Sequence, residues 1–404
     1  MAEPLVIVGK GMAATRLVEE ISRRALGRYA IAVIGEEPRL AYNRVLLSPL
    51  LAGEIGQADI ELKPAGWWQA NGVSTFYGRP VTAIDRAAKT VTLADGPSLP
   101  YGKLVLATGS RPIRLSCPGA DLPGVLTFRD MADVAAMRER AASGARIVVI
   151  GGGLLGLEAA TGLARAGAAV TLIHLADRLM ERQLDAQGAA MLAEAIAYRG
   201  VEIRLNAATE RFLGSDRVEA VELADGTTIP ADLVVVAIGV RPQIDLARAA
   251  GLGVQRGVLV DDGLATDDPA IFAIGECAEH RGLSYGLVEP AYEQARVLAA
   301  RLTGTPERYA GSLLATNLKV SGVGVFSAGE FEDGDGTETV MLRDPAAGIY
   351  RKFVLRQGRL AGCVLIGDTQ GALFYLGLIR SRQDVSAIRA DLPFGESYCV
   401  REAA

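Results

Sequence analysis

Short apolar runs that end on glycine punctuate this chain. Residues 5–8 (Leu, Val, Ile, Val) lead into Gly9, Gly11 and Ala14, and residues 147–150 (Ile, Val, Val, Ile) lead into Gly151, Gly153 and Gly156. β-Branched runs of this length bounded by turns predict buried strands, and the stretch after each glycine cluster reads as a helix. The runs 31–34 and 170–173 predict the next strand of each unit, the first ending in Gly35, Glu36 and Glu37 and the second in His174. Both halves close alike, with 104–112 (LVLATGSRP) and 234–242 (VVVAIGVRP) each a buried strand stopping at a glycine turn.

Strand, tight glycine turn and helix together form a diphosphate cradle. The first glycine permits the turn, the second lets backbone approach a pyrophosphate, and the third small residue lets helix and strand pack closely. The helix N-terminus then offers free N–H groups and a partial positive charge to the phosphates. Two such fingerprints imply two nucleotide sites and a diverged internal duplication. Residues 1–113 read as one unit, with a loop at 38–48 and a β-rich stretch at 73–99 inserted after its second strand. Residues 114–240 form the second unit, which includes an amphipathic stretch at 185–199. Residues 241–312 carry no new fingerprint; the run 270–276 (AIFAIGE) and a helical stretch 289–302 supply the last strand and helix of the first unit, so the second is inserted into it. Residues 313–404 change to alternating strands at 318–326, 339–342 and 350–366, the last broken at Gln357-Gly358, and then a helix at 371–381. The expected fold class is α/β: two Rossmann-like dinucleotide-binding domains plus a C-terminal α+β domain.

Composition narrows the chemistry. The chain has 404 residues, half of them hydrophobic, and a net charge of −5, with no basic patch suited to nucleic acid or a membrane surface. No run approaches the roughly 18 uninterrupted apolar residues of a membrane span, and the first strand begins too early for a removable signal peptide, so a cytoplasmic enzyme is expected. There are two histidines and four cysteines, with no C-x-x-C, so no metal site is expected on the chain.

These features resemble the FAD/NAD(P)H two-dinucleotide-binding-domain flavoprotein reductases, the pyridine nucleotide-disulfide oxidoreductase family, over essentially the whole chain. The resemblance implies FAD at the first site and NADH at the second, with NADPH as an alternative donor. It assigns Gly9, Gly11 and Ala14 to the FAD pyrophosphate turn and Glu36, or Glu37 in its place, to the adenosine ribose. It sets Arg44 of the 42–48 segment (YNRVLLS) along the FAD, Thr108 and Gly109 near the cofactor, and Glu276 on the ribityl chain. Gly151, Gly153 and Gly156 would hold the nicotinamide dinucleotide, and His174 stands where an acidic residue often bonds the ribose, with Arg178 four residues on. Glu158 matches the glutamate beside the nicotinamide, its one catalytic candidate.

The stretches 175–185, 275–278, 285–288, 318–322 and 365–369 are most similar to the flavin module of NAD(P)H nitrite reductase large subunits and assimilatory nitrate reductase electron-transfer subunits. The implied function is an oxidoreductase passing electrons from NADH through FAD to a metal-containing partner in nitrate or nitrite assimilation, the metal lying on another polypeptide. A rubredoxin- or ferredoxin-type reductase is the alternative; Pro49, where several of those carry lysine, and Ala315-Thr316-Asn317 depart from their pattern. A different class, an NADH-responsive signalling flavoprotein resembling apoptosis-inducing factor, would not need rapid turnover.

Overall fold

The computed structural model describes residues 2–313, 315–320 and 322–400; Ser321, inside the expected strand 318–326, lies outside them. The chain divides into two compact units, one formed by the residues up to Leu47 with Ile55–Pro112 and Val240–Ser312, the other by Ser48–Glu54, Ile113–Gly239 and the chain from Leu313 on.

In the first unit a five-stranded parallel sheet runs in the order Ile271–Ala273, Lys103–Leu106, Glu3–Val8, Tyr29–Gly35, Val73–Tyr77. Strand Glu3–Val8 sits in the middle, which explains its unbroken apolar run: a central parallel strand is covered on both faces. Leu5 and Ile7 enter the core that includes residues of helices Met12–Ala25 and Val288–Leu302, while Val6 and Val8 enter a second core with Leu104, Leu106 and Ile271. The expected β-rich insertion at 73–99 is smaller than its sequence suggests. Strand Val73–Tyr77 pairs in register with Ile31–Gly35 and completes the parallel sheet, leaving Val81–Asp85, Thr90–Leu93 and Ser98–Pro100 as the separate antiparallel sheet. Ser110–Pro112 and Val240–Pro242 form an antiparallel ribbon, and immediately beyond it Ile113 N–H donates to Gly239 O at 3.0 Å.

The second unit repeats the scheme with a parallel sheet ordered Val201–Arg204, Ala169–Ile173, Arg146–Ile150, Leu233–Val236, Val125–Thr127. Its C-terminal portion is a five-stranded antiparallel sheet, Ala315–Val320, Val323–Gly329, Arg359–Gly367, Ile349–Arg356, Thr337–Asp344, against which helix Ala372–Ser381 packs. The stretch 318–326, expected to be one strand, is parts of two: Val320 pairs with Val323 across a turn containing Gly322 at φ +86°. A glycine at positive φ reverses the chain without a Cβ penalty, and apolar residues on both sides hide that break from pattern reading. Among the described residues no helix is long and apolar enough to cross a membrane.

Candidate cofactor sites

The three small residues of the first fingerprint meet different constraints. Gly9 has φ +105°, and a Cβ there would overlap the Ala107 carbonyl oxygen, so the fold itself requires glycine. Ala14 is fully buried against the sheet. Gly11 is different: it has φ −77°, ordinary for any residue, and a Cβ there meets no atom within 4 Å. It caps helix Met12–Ala25, which has no side-chain cap and no acidic residue in its first turn. Open space over an uncapped helix N-terminus fits a diphosphate, and no packing contact at Gly11 requires a glycine.

The other first-unit residues gather at the same end of the sheet. A Cβ on Gly275 would lie 3.0 Å from the Ala13 side chain, so the turn carrying Glu276 abuts the start of that helix. Glu276 accepts from Ser110 Oγ at 2.6 Å, and Gly275 N–H donates to buried Gln294. Thr108 Oγ1 donates to Gln243 O, and Gln243 N–H donates to Gly109 O, bracing that turn from the ribbon side. Arg44 pairs with Glu37 at 2.5 Å, and Tyr42 Oη donates to the same carboxylate at 2.8 Å. Burial opposes the charge on Arg44, but Tyr42, Glu37 and Glu276 outweigh it and hold its pKa above the ordinary value. Glu37 is engaged in this way, whereas Glu36, just past the end of strand Tyr29–Gly35, is exposed.

Lys10, the variable residue of the first turn, is a group that pattern reading passed over. Its stem crosses Gly35, where any Cβ would overlap it, and its Nζ lies 4.6 Å from the Tyr77 ring centre. The ammonium is buried and, among the described residues, has no hydrogen-bond partner. Burial, with Arg39 and Arg44 adding to it against Glu37, pulls its pKa from 10.5 to about 8.

The second fingerprint shows the same division. Gly151, at φ +119°, faces the Ala237 carbonyl, and a Cβ on Gly156 would overlap Gly151 O, whereas Gly153 has φ −81° and open space. Helix Leu154–Arg165 again starts with no side-chain cap and no acid in its first turn. Both sites therefore fit the diphosphate of a dinucleotide.

His174 does not stand free at the strand end. Its Nδ1 accepts from Gly152 N–H at 3.0 Å, which places the ring proton on Nε2, 3.1 Å from Glu181. Met180, at φ +49°, donates its N–H to Gly152 O, so the 175–184 loop folds back onto the fingerprint and brings a carboxylate to the place where the strand itself supplies none. Arg178 is held by Leu184 O and by Glu332 at 3.0 Å.

Glu158 lies in the second turn of helix Leu154–Arg165, half-buried, and accepts from the buried Ser48 hydroxyl at 2.5 Å. Burial raises its carboxyl pKa and the Ser48 bond opposes that rise. Leu51 packs beside Gly162 and Glu54 pairs with Arg165, so the 48–54 segment is docked along this helix.

Two such cradles on repeated parallel sheets define a two-dinucleotide oxidoreductase. Residues 3–296 match the pyridine nucleotide-disulphide oxidoreductase family, and residues 315–383 match the rubredoxin NAD+ reductase C-terminal domain. The chain belongs to the pyridine nucleotide-disulphide oxidoreductase family, and its cofactors are FAD and NAD(P)H. It is 45% identical over 383 residues to the nitrite reductase [NAD(P)H] of Bacillus subtilis, covering 95% of this chain and 48% of that protein. It is 39% identical to the assimilatory nitrate reductase electron transfer subunit of the same organism, covering 96% and 50%. The chain thus spans about half the length of these relatives. The covalent putidaredoxin reductase–putidaredoxin complex superposes with a TM-score of 0.88 at 30% identity, covering 98% of this chain and 97% of the other.

Proposed function

We propose that this chain is the electron-entry module of an assimilatory nitrite- or nitrate-reducing system, taking hydride from NADH and delivering electrons to a metal centre on a protein partner. The observation that carries it is the pair of open cradles at Gly11 and Gly153, each a glycine at an uncapped helix N-terminus with free space over it. When bound, FAD supplies the conversion of a two-electron hydride donor into a source of single electrons. The protein's own work is binding and orientation. The helix N-termini after Gly11 and Gly153 hold diphosphates, Glu36 and Glu276 accept from sugar and ribityl hydroxyls, and Arg44 lies along the first dinucleotide. Glu158 orients the nicotinamide amide by accepting from its N–H.

NADH is the proposed donor, preferred over NADPH by about tenfold, or about 1.4 kcal/mol. Glu181, beside His174, disfavours a 2′-phosphate, and Arg178 is engaged by Glu332 instead of being free to clamp one. A cytoplasmic location belongs to the same proposal, since the donor is a coenzyme of cytoplasmic metabolism. The match of residues 315–383 supports a second reading, reduction of rubredoxin or ferredoxin.

The test is anaerobic flavin reduction by NADH and then turnover with ferricyanide and with each class of partner. Fast turnover with a sirohaem or molybdenum partner supports the main reading. Faster turnover with rubredoxin or ferredoxin supports the second. A flavin that NADH reduces but that passes electrons to no acceptor would overturn both in favour of a signalling role.

A further inference from the structure

We infer that Ser48 is a positioning residue for the nicotinamide site: its hydroxyl, by donating to one oxygen of Glu158, fixes the carboxylate so that the other oxygen faces the donor's amide. This rests on the reading of Glu158 as the donor-site carboxylate.

Ser48 and Glu158 are far apart in sequence and meet at 2.5 Å through Oγ and Oε2. Ser48 is buried, so its hydroxyl has no water to turn to, and among the described residues no cation pairs with Glu158. A carboxylate lodged beside a helix without a counter-ion needs a donor to fix its rotamer, and a hydrogen bond to a charged acceptor is among the stronger ones. The serine is itself held: Leu51 lies against Gly162, and Glu54 pairs with Arg165, so the segment that carries Ser48 tracks the helix that carries Glu158. A neutral donor suits the task, because it orients the carboxylate without neutralising the charge that attracts the amide N–H. Small errors in aligning reacting groups carry large kinetic costs, so losing one such bond should appear in the rate of hydride transfer more than in affinity.

The experiment uses FAD-loaded full chain and anaerobic stopped-flow reduction by NADH. Ser48→Ala should slow flavin reduction about tenfold with a smaller change in NADH affinity, at unchanged FAD content. Ser48→Thr, which keeps the hydroxyl, should restore the rate, and Ser48→Cys, a weaker donor, should fall between and serves if the alanine variant does not fold. In a Glu158→Ala background, Ser48→Ala should add nothing. If Glu158→Ala itself leaves reduction unchanged, the reading of Glu158 fails. If Glu158→Ala is impaired while Ser48→Ala matches wild type, or the two losses simply add, or threonine does no better than alanine, then Ser48 does not position Glu158 and only this inference falls.

Discussion

Gly153→Val separates what the fold requires of a fingerprint glycine from what the ligand requires. Gly153 has φ −81° and ψ −179°, an extended conformation that valine adopts readily, and a Cβ there meets no protein atom within 4 Å. The protein's own loss is confined to a poorer N-cap, about 1 kcal/mol or less, which moves Tm by less than about 4 °C. Gly151→Ala is the contrast. Its φ of +119° is closed to L-residues and the new methyl would strike the Ala237 carbonyl. Backbone strain of about 1–3 kcal/mol and a clash of about 1–3 kcal/mol make it strongly destabilising. Donor binding should invert this order: a valine side chain fills the place of the diphosphate, and NADH affinity should fall at least about a hundredfold, or about 2.7 kcal/mol. Thermal unfolding and stopped-flow flavin reduction by NADH, run on both variants with FAD retained, measure the two effects separately. A Gly153→Val protein that unfolds as early as Gly151→Ala, or that binds NADH as tightly as wild type, would refute this division.

The same reasoning predicts that Gly11→Val folds but purifies without flavin, which absorbance at purification checks. Lys10→Met should stabilise the FAD-free protein at pH 7 by about 2 kcal/mol, less than the full fall in pKa from 10.5 to about 8 implies because solvent screens part of it. Because burial lowers this pKa, the cost of charging Lys10 is present in full below pH 8 and disappears between about 8 and 10.5, so denaturant midpoints of the two proteins should converge across that range. Lys352, buried between Asp185 at 3.4 Å and Asp333 at 3.0 Å, leaves Asp185 and its Tyr350 bond without a cation when changed to methionine. Urea unfolding should show a loss of about 3 kcal/mol, smaller when Asp185→Asn is added. Glu181→Gln should narrow the NADH preference in kcat/KM about threefold, whereas Arg178→Ala should leave it unchanged within twofold, because Glu332 already holds that guanidinium.

Local signals were the most legible in the sequence. The glycines at 9, 11, 151, 153 and 156 and the apolar strands before them stand out because turn chemistry and strand burial act over a few residues, and the repeat makes each half corroborate the other. Strand Val73–Tyr77 reads as part of an insertion because sheet membership depends on pairing with Tyr29–Gly35, which no local pattern encodes. The break at Gly322 is hidden by apolar residues on both sides. Ser48 stands at the end of the 42–48 motif, yet its partner is visible only in three dimensions. Glu181 escapes notice for a similar reason: a loop that returns through a left-handed Met180 replaces, from a distance, the acid expected at the strand end. Lys10 occupies a position the fingerprint treats as free, and only the glycine at 35 hints that something large lies across it.

The ribbon joining Ser110–Pro112 to Val240–Pro242 has a consequence for engineering and descent. Three residue pairs hold the outgoing and returning chain side by side, with Ile113 and Gly239 bonded just past them. A host whose two ends of an excursion are already sewn together tolerates changes in what the excursion contains, since the closure entropy is met at the seam and depends only weakly on length. Residues 113–239 are thus closed at their base, yet they share one compact unit with 48–54 and the chain from Leu313 on, through Ser48–Glu158, Arg178–Glu332 and Lys352–Asp185. An exchange at the seam that also carries the matching 48–54 and C-terminal partners should yield chimaeras that fold and keep flavin while inheriting a new donor preference.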